Sequence, residues 1–286
     1  MISDGCRLCG ATSLEPFGVY DLRISNESTR AAEGKPSLLV KCTRCGVVFR
    51  DEFSAEEIAG EYEGAYYSET PVLEDHVRFL YSLRWRKIRR YFPRAARVLD
   101  FGCGKGYFLH QLRAMGMEDI HGVELNRSAL VFLRGQEFDV AGQVSELDEP
   151  GPYEVVTLFH VLEHLDDPKG FLITLKESLA EGGKLIIEVP DRDGYGFRKF
   201  GARWFYLQRE HLYYFNKKSL AYLLESSGYT VEKRYRFGGF LVTKGRPGRK
   251  GMLALPLTLK KPLLRAYLWV CDLFGLHDFI GVIAGK

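Results

Sequence analysis

The sequence has little net charge of either sign, no long apolar run and no internal repeat. The formal charge of +3 is too small to imply a nucleic-acid partner by itself. No stretch approaches the ~20 uninterrupted apolar residues of a spanning helix, because Lys260, Lys261 and Arg265 interrupt the one long apolar region. The N-terminus lacks a basic stretch followed by an apolar run, so we expect no secretory signal and a cytoplasmic protein.

The composition is that of an ordinary globular protein, with 46% hydrophobic and 27% charged residues. A chain of 286 residues has room for one large α/β domain and a small accessory module. We expect the boundary near residue 70, with the module in residues 1–69 and the larger domain in residues 70–286.

Four of the six cysteines form two matched CxxC pairs, each followed by a glycine: Cys6, Cys9, Cys42 and Cys45. Two such pairs bring four thiolates into the tetrahedron that a structural zinc ion prefers, and the glycines ease the tight turns. A disulfide fits poorly in a reducing cytosol, and a thioredoxin-like enzyme needs a single CxxC. The sequence therefore predicts a zinc-ribbon-like module. The simpler alternative is that the pairs are retained without a metal.

From about residue 97 the pattern alternates strand and helix, which indicates a parallel sheet covered on both faces. The predicted strands are residues 97–101, 120–124, 155–159 and 184–189. The predicted helices lie near residues 77–92, 107–115, 127–136, 168–180 and 217–227, with a further one starting at Ser54 before the aromatic stretch 62–67. Gly182, Gly183 and Gly228 stand where helix C-caps belong.

The first of these strands ends in Asp100 and runs directly into Gly102, Gly104 and Gly106. Such glycines let the backbone turn sharply beside a ligand, which is typical of a nucleotide-type pocket. A dinucleotide site would read GxGxxG, whereas this loop reads GxGxG directly after an acid that disfavours a pyrophosphate. Glu124, at the end of the second strand, is placed to accept hydrogen bonds from both ribose hydroxyls.

With these residues the chain resembles the class I methyltransferases that use S-adenosylmethionine (SAM). The likeness covers most of residues 70–286 and includes HVLEHLDDP at residues 160–168, LAEGGKLIIEVP at 179–190 and EHLYYFN at 210–216. It implies a Rossmann-like α/β fold with a seven-stranded sheet whose last two strands, residues 230–236 and 279–285, are antiparallel. The implied cofactor residues are Asp100, Gly102, Cys103, Gly104, Gly106, Glu124, Leu125, Gln143, Val144, Phe159 and His160.

Methyl transfer requires a positioned acceptor and often a base of near-neutral pKa. One interpretation makes His211 or His164 the base, oriented by Glu163 or Glu210. Another makes His160, Glu163, His164 and His211 a divalent metal site, as in the small-RNA and quinone methyltransferases that the motif resembles. A third gives Glu163 and His164 only a structural role. The remaining histidines, at positions 76, 110, 121 and 277, are interpreted as surface or packing residues.

The region between the last two strands is long and basic. From residue 233 to residue 271 there are ten Lys or Arg residues and no acid, and the predicted insert spans residues 244–275. Its apolar segment 252–276 suits a membrane surface holding a lipid-linked acceptor, a partner protomer, or packing on its own domain. The protein would then lie in the cytoplasm or peripherally at the inner membrane face.

The N-terminal CxxC pairs are similar to the zinc module of sugar C-methyltransferases. The resemblance therefore implies a methyltransferase with SAM and zinc as cofactors. Its acceptor would be small or glycan-type, such as a nucleotide sugar or a lipid-linked saccharide, with no nucleic-acid partner. The alternatives are an RNA or quinone-type methyltransferase with a divalent metal, and a non-catalytic SAM-binding protein.

Overall fold

The structure is a computed structural model that describes residues 4–22, 35–52, 75–238 and 257–286. Its strands form two sheets, one of four strands and one of seven. In chain order the strands are β1 (Leu14–Leu22), β2 (Lys35–Cys42), β3 (Val48–Arg50), β4 (Val98–Phe101), β5 (Ile120–Val123), β6 (Asp139–Ala141), β7 (Tyr153–Phe159), β8 (Leu179–Pro190), β9 (Tyr213–Tyr214), β10 (Thr230–Phe237) and β11 (Phe279–Gly285).

The seven-stranded sheet has the order β10-β11-β8-β7-β4-β5-β6. Strands β4 to β8 pair in parallel, and β11 runs antiparallel to both of its neighbours. Its central strands are buried on both faces, which explains their nearly continuous apolar sequence. The predicted Rossmann-like seven-stranded fold, with an antiparallel last pair, is confirmed.

Five of the helices that the structure describes lie where the sequence predicts them, whereas those at Tyr195–Phe200 and Leu257–Phe274 have no counterpart among the predicted helices. In chain order the helices are α1 (Asp75–Ile88), α2 (Tyr107–Ala114), α3 (Arg127–Arg134), α4 (Pro168–Leu175), α5 (Tyr195–Phe200), α6 (Lys217–Ser226) and α7 (Leu257–Phe274). Three of them begin at a side-chain cap: Asn126 for α3, Asp167 for α4 and Asn216 for α6. Among the described residues, no helix combines the length and the apolar character needed to cross a membrane.

The four-stranded sheet has the order β1-β2-β3-β9, with all pairs antiparallel. Its first three strands belong to the N-terminal part of the chain. Its fourth, Tyr213–Tyr214, comes from the long connection after β8, and it pairs with Val48 and Phe49. This shared sheet joins the small module to the connection that carries Glu210 and His211.

One local prediction is wrong: Gly182 and Gly183 do not cap a helix. The helical turn before them ends at Ser178, and both glycines lie inside β8. A Cβ on Gly183 would come 2.9 Å from the Ala180 carbonyl oxygen and 3.1 Å from that of Tyr153, so backbone crowding excludes a side chain. Gly228, with φ +83°, follows Ser227, the C-cap of α6, and has the predicted C-terminal role.

Two predictions fall outside the described residues: the helix starting at Ser54 and the aromatic stretch 62–67. Of the insert 244–275, the structure describes residues 257–275, most of which form α7.

Candidate active site

The glycine loop links the end of β4 to the start of α2 at the carboxyl edge of the sheet. Gly102, Gly104 and Gly106 all have positive φ, at +72°, +53° and +76°. A Cβ on Gly106 would lie 2.3 Å from Leu133 Cδ2, and one on Gly102 would lie 2.6 Å from Val161 Cγ2. Conformation and close packing therefore both require glycine at these two positions.

Glu124 stabilises the conformation of this loop. Its carboxylate accepts hydrogen bonds from the amide of Gly104 at 2.8 Å and from the amide of Asn126 at 2.9 Å. The acid that the sequence assigns to a ribose thus also fixes the shape of the loop opposite it. The neighbouring Leu125 is exposed.

Asp100 is buried beneath the loop, where it accepts a hydrogen bond from the Thr157 hydroxyl at 2.6 Å. Burial raises the pKa of this carboxyl to about 7, although the Thr157 hydrogen bond and the Arg84 charge act in the opposite direction. A buried acid that is costly to ionise in the protein alone is suited to a cationic group such as an ammonium.

We therefore expect the Asp100→Asn variant to be more stable than the wild type at alkaline pH. The pKa of Asp100 is higher in the folded protein than in the unfolded chain. The stability that its protonated carboxyl contributes is therefore fully present below about pH 4 and is lost as the pH rises through about 7. The gain in free energy of unfolding should grow by about 3 kcal/mol from about pH 5 to about pH 8 in urea titrations of the cofactor-free protein. The exposed Asp148→Asn is the control, and parallel pH profiles for Asp100→Asn and the wild type would contradict the expectation.

The other residues assigned to the cofactor lie around the same edge. Cys103 is buried within the loop, and Gln143 is exposed, with its amide donating to Glu146 at 2.8 Å. Val144 begins a short helical turn after β6. Phe159 packs edge-on against Phe108 at 5.0 Å between ring centroids.

His160 and Glu163, which the sequence analysis groups together, belong to a polar network with Glu188 and Arg84, and sequence reasoning missed these last two. His160 has φ +60°, and its ring lies 3.4 Å from Glu163 and 3.7 Å from Glu188. Glu188 is fully buried and accepts two hydrogen bonds from the buried Arg84, at 2.6 and 3.1 Å. The Arg84 guanidinium also lies 4.5 Å above the ring of Phe159. The ion pair between Arg84 and Glu188 therefore connects helix α1 to the end of β8, beside the glycine loop.

Glu163, His164 and His211 come together although 47 residues separate the last two in the sequence. Each offers one ligand atom, and these atoms lie within 4.8 Å of one another. The Nδ1 atoms of His164 and His211 donate to the carbonyl oxygens of Glu210 and Tyr206, at 3.0 and 2.9 Å. Because a carbonyl only accepts, the lone pair of each neutral ring is on Nε2.

Burial governs the electrostatics of this cluster. It lowers the pKa of His164 to about 4 and lowers the pKa of His211, so both rings are neutral. It also raises the pKa of Glu163, whose two carboxyl oxygens have no hydrogen-bond partner among the described residues. Two neutral imidazoles and one unsatisfied carboxyl group can receive a proton from an acceptor or ligate a cation.

The predicted zinc ligands also converge. The sulfurs of Cys6 and Cys45 lie 3.7 Å apart, and those of Cys9 and Cys42 lie 3.6 Å apart. The edge of a tetrahedron with Zn–S bonds of 2.3 Å is about 3.8 Å, so the four thiols fit a zinc ion. The hydrogen bond with the Cys45 thiol lowers the pKa of Cys6 to about 5.

The turns around these thiols have matching geometry. Gly10 and Gly46, at φ +69° and +80°, donate their amides to the carbonyl oxygens of Cys6 and Cys42, at 2.8 and 2.9 Å. This confirms the predicted reason for the glycine after each CxxC.

Hydrogen bonds link the N-terminal module with the four cysteines to the connection between β8 and β9, which carries His211. The side chain of Arg50 is buried and donates to the carbonyl oxygen of Arg209, while its amide donates to the carbonyl oxygen of Leu212 at 3.0 Å. The Leu212 amide donates to the carbonyl oxygen of Glu163 at 2.8 Å. A short path of hydrogen bonds thus runs from β3 to the Glu163 cluster.

The parallel sheet, the GxGxG loop and the acid on the next strand define a SAM-type Rossmann-like domain. The family described as "Methyltransferase domain" matches residues 75–234, which is more than half of the chain. The chain belongs to this family, and the predicted methyltransferase domain is confirmed.

Curated relatives match part of this domain. A tRNA U34 carboxymethyltransferase of Colwellia psychrerythraea is 30% identical over 105 residues, covering 34% of this chain and 33% of the relative. A ubiquinone biosynthesis O-methyltransferase of Aromatoleum aromaticum is 29% identical over 119 residues, covering 38% of this chain and 50% of the relative. The chain therefore spans a third to a half of the length of these relatives.

Solved structures share the fold. A SAM-dependent methyltransferase from Archaeoglobus fulgidus superimposes with a TM-score of 0.51 at 24% identity, covering 73% of this chain and 94% of that one. The 1,6-didemethyltoxoflavin-N1-methyltransferase of Burkholderia thailandensis, solved with S-adenosylhomocysteine (SAH), has a TM-score of 0.51 at 18% identity, covering 84% and 95%. At these identities the likeness concerns the fold alone.

Proposed function

We propose that the protein transfers a methyl group from SAM to a small or glycan-type acceptor, such as a nucleotide sugar or a lipid-linked saccharide. The observation that carries this proposal is the convergence of Glu163, His164 and His211. The cluster lies next to the glycine loop, because Val161, two residues before Glu163, packs against Gly102. Family membership supports the use of SAM. The cysteine module, similar to that of sugar C-methyltransferases, favours the glycan-type acceptor.

The glycine loop fits SAM. Bound there, SAM supplies an electrophilic methyl group on a sulfonium. The loop residues Gly102–Gly106 would hold its amino-acid part, with Asp100 beneath, and Glu124 would accept from its ribose. A relative of the same fold was solved with SAH, the product of this cofactor.

The chain's own contribution to the chemistry is to orient the acceptor and to remove its proton. His211 and His164 are neutral, and Nδ1 hydrogen bonds hold both rings, so each presents a basic Nε2. The unsatisfied carboxyl of Glu163 stabilises an imidazolium once the proton has been taken up. The partners of Nδ1 are the main-chain carbonyls of Glu210 and Tyr206.

Replacing either histidine by glutamine tests this role. With tritiated-methyl SAM and a panel of nucleotide sugars, lipid-linked saccharides, quinols and RNA, we expect His211→Gln and His164→Gln to lower kcat about a hundredfold or more, because a positioned base contributes that much. SAH affinity should stay unchanged. His121→Gln is the matched control, since His121 lies between Asp119 and Asp139, outside the cluster. Wild-type turnover in both variants would leave the cluster with a structural role only.

A second candidate is a metal-assisted methyltransferase with a quinone-type or RNA acceptor. The unsatisfied buried carboxyl of Glu163, within 4.8 Å of a ligand atom on each histidine, favours it. The curated relatives include ubiquinone biosynthesis O-methyltransferases and tRNA U34 carboxymethyltransferases. The low net charge makes RNA the less favoured of these two acceptors.

Metal content separates the two candidates. If the cluster binds a divalent ion, wild-type protein equilibrated with zinc should hold two metal ions per chain, and Glu163→Gln should hold one, retained by the four cysteines. If the cluster acts as a base, the wild type and Glu163→Gln should each hold one metal ion per chain. Elemental analysis after gel filtration makes this measurement without a known acceptor.

A further inference from the structure

Helix α7 is apolar on two opposite faces. One face, with Tyr267, Leu268 and Cys271, covers the small core that contains Phe79 and Phe279. The other carries Trp269 and Leu273, which are 65% and 60% exposed and lie one helical turn apart. An amphipathic helix that only packs on its own domain would carry polar residues there.

This exposed face is the densest group of large apolar side chains on the described surface. Leu263 and Phe274, at 49% and 67% exposure, flank Trp269 and Leu273 on the same helix. Single exposed apolar residues such as Val131 need no explanation, but four on one helix mark an interaction surface.

Cations lie beside this helix. A cavity of about 380 Å³ between the end of α1 and the strand β10 is lined by Arg86, Lys87, Arg89, Arg90 and Lys233. Three of these, the arginines, are exposed. Lys87 links the cavity to α7, since its ammonium lies 2.8 Å from the carboxylate of Asp272.

Of the five cations that line the cavity, Lys87 is the one with an acidic partner among the described residues. Asp272 is paired with Lys87, and Glu232 is paired with Lys184 at 2.7 Å. Among the described residues that line the cavity there is no Asp or Glu. The exposed arginines therefore lie on the segment that the Lys87–Asp272 pair links to helix α7, and that helix carries the exposed Trp269 and Leu273.

We propose that this face, formed by Trp269, Leu273 and the arginines at 86, 89 and 90, docks on the surface of an anionic phospholipid bilayer. An interfacial helix inserts its apolar residues at the headgroup level, and tryptophan is favoured there. Each Lys or Arg near the surface adds attraction to anionic headgroups. The charge complementarity selects a bilayer over an uncharged apolar partner. The proposal does not rest on the identity of the methyl acceptor.

Flotation with lipid vesicles tests it, using the full chain loaded with zinc. Wild-type protein should float with phosphatidylcholine vesicles that contain phosphatidylglycerol and remain below with phosphatidylcholine alone. The triple variant Arg86→Gln, Arg89→Gln and Arg90→Gln should lower the partition coefficient about a hundredfold at low ionic strength. The double variant Trp269→Ala and Leu273→Ser should lower it about tenfold. Molar salt should abolish the preference for the anionic vesicles.

Matched controls change the same residue types on other faces. Lys217→Gln with Lys218→Gln removes two exposed charges from α6, and Val131→Ser removes an exposed apolar side chain from α3. Both should float like the wild type. Because all changed residues are exposed, unfolding midpoints should stay close to that of the wild type.

Three results would overturn the proposal. The first is wild-type protein that does not float with anionic vesicles at low ionic strength. The second is self-association of the wild type, measured by light scattering, that the double variant Trp269→Ala and Leu273→Ser abolishes although its flotation is unchanged. That result would assign the face to a second copy of the chain. The third is RNA binding that the arginine variant loses while flotation is unchanged. None of these depends on methyl transfer.

Discussion

Replacing Cys42 by serine should release the metal and unfold the N-terminal strands. Structural zinc sites contribute about 10–16 kcal/mol of apparent binding free energy, and removing one of four thiolates opens the tetrahedron. Elemental analysis should show one zinc ion per wild-type chain and almost none in Cys42→Ser. In hydrogen exchange, the amides of residues 35–50 should then lose their protection.

The same variant should also loosen the candidate active site, because β3 holds the connection that carries His211. The amides of residues 209–214 should exchange faster in Cys42→Ser, since β9 loses its partner strand and Leu212 loses the Arg50 amide. The amides of β4 and β7 should be unaffected. Cys271→Ala is the control, because this buried thiol lies outside the cluster. A wild-type protein that is stable and fully folded without metal would contradict the zinc assignment.

Replacing Gly106 by alanine should abolish tight SAH binding. The alanine would be strained at φ +76°, and its Cβ would lie 2.3 Å from a methyl group of the buried Leu133. The loop must then move away from the position that fits the cofactor. We expect the dissociation constant for SAH, measured by calorimetry, to rise at least about a hundredfold, because a shift of an ångström in a binding constellation has effects of this size.

Gly116→Ala separates backbone strain from the loop's function. Gly116 has φ +80°, but no atom lies within 4 Å of the added Cβ. This variant should lose about 1 kcal/mol of stability and bind SAH normally. Adding Leu133→Ala to Gly106→Ala removes the clash and should restore part of the affinity. Nearly normal SAH affinity in Gly106→Ala would contradict the assigned role of the loop.

Much of the fold was predictable because its signals are local. Buried parallel strands read as short apolar runs, and the glycines after β4 require conformations that other residues avoid. The meeting of Glu163 and His164 with His211 was also predictable, since both segments follow strands that end at the same edge of the sheet.

Contacts between distant charged residues were not predictable. Arg84 and Glu188 are 104 residues apart and look like ordinary surface charges until α1 packs against the end of β8. The sequence suggests a surface or packing role for His121, and the structure adds that His121 lies 2.6 Å from Asp139, its partner in the parallel register of β5 and β6. That contact becomes visible only once the register is known.

The joining of the two sheets was missed for a related reason. Strand β9 has only two residues, Tyr213 and Tyr214, so it carries no periodicity. Arg50 shows no sign in the sequence of the buried hydrogen bond that it donates to the Arg209 carbonyl. The module therefore looked like a separate unit in the sequence, whereas its edge strand comes from the connection that carries His211.

The most direct test of the central assignment is calorimetric titration of the purified, zinc-loaded protein with SAH and, separately, with a nicotinamide dinucleotide. We expect one SAH per chain and no dinucleotide binding, because Asp100 and the GxGxG loop fit an amino acid joined to a nucleoside better than a pyrophosphate. The absence of SAH binding, or tighter binding of the dinucleotide, would contradict this assignment.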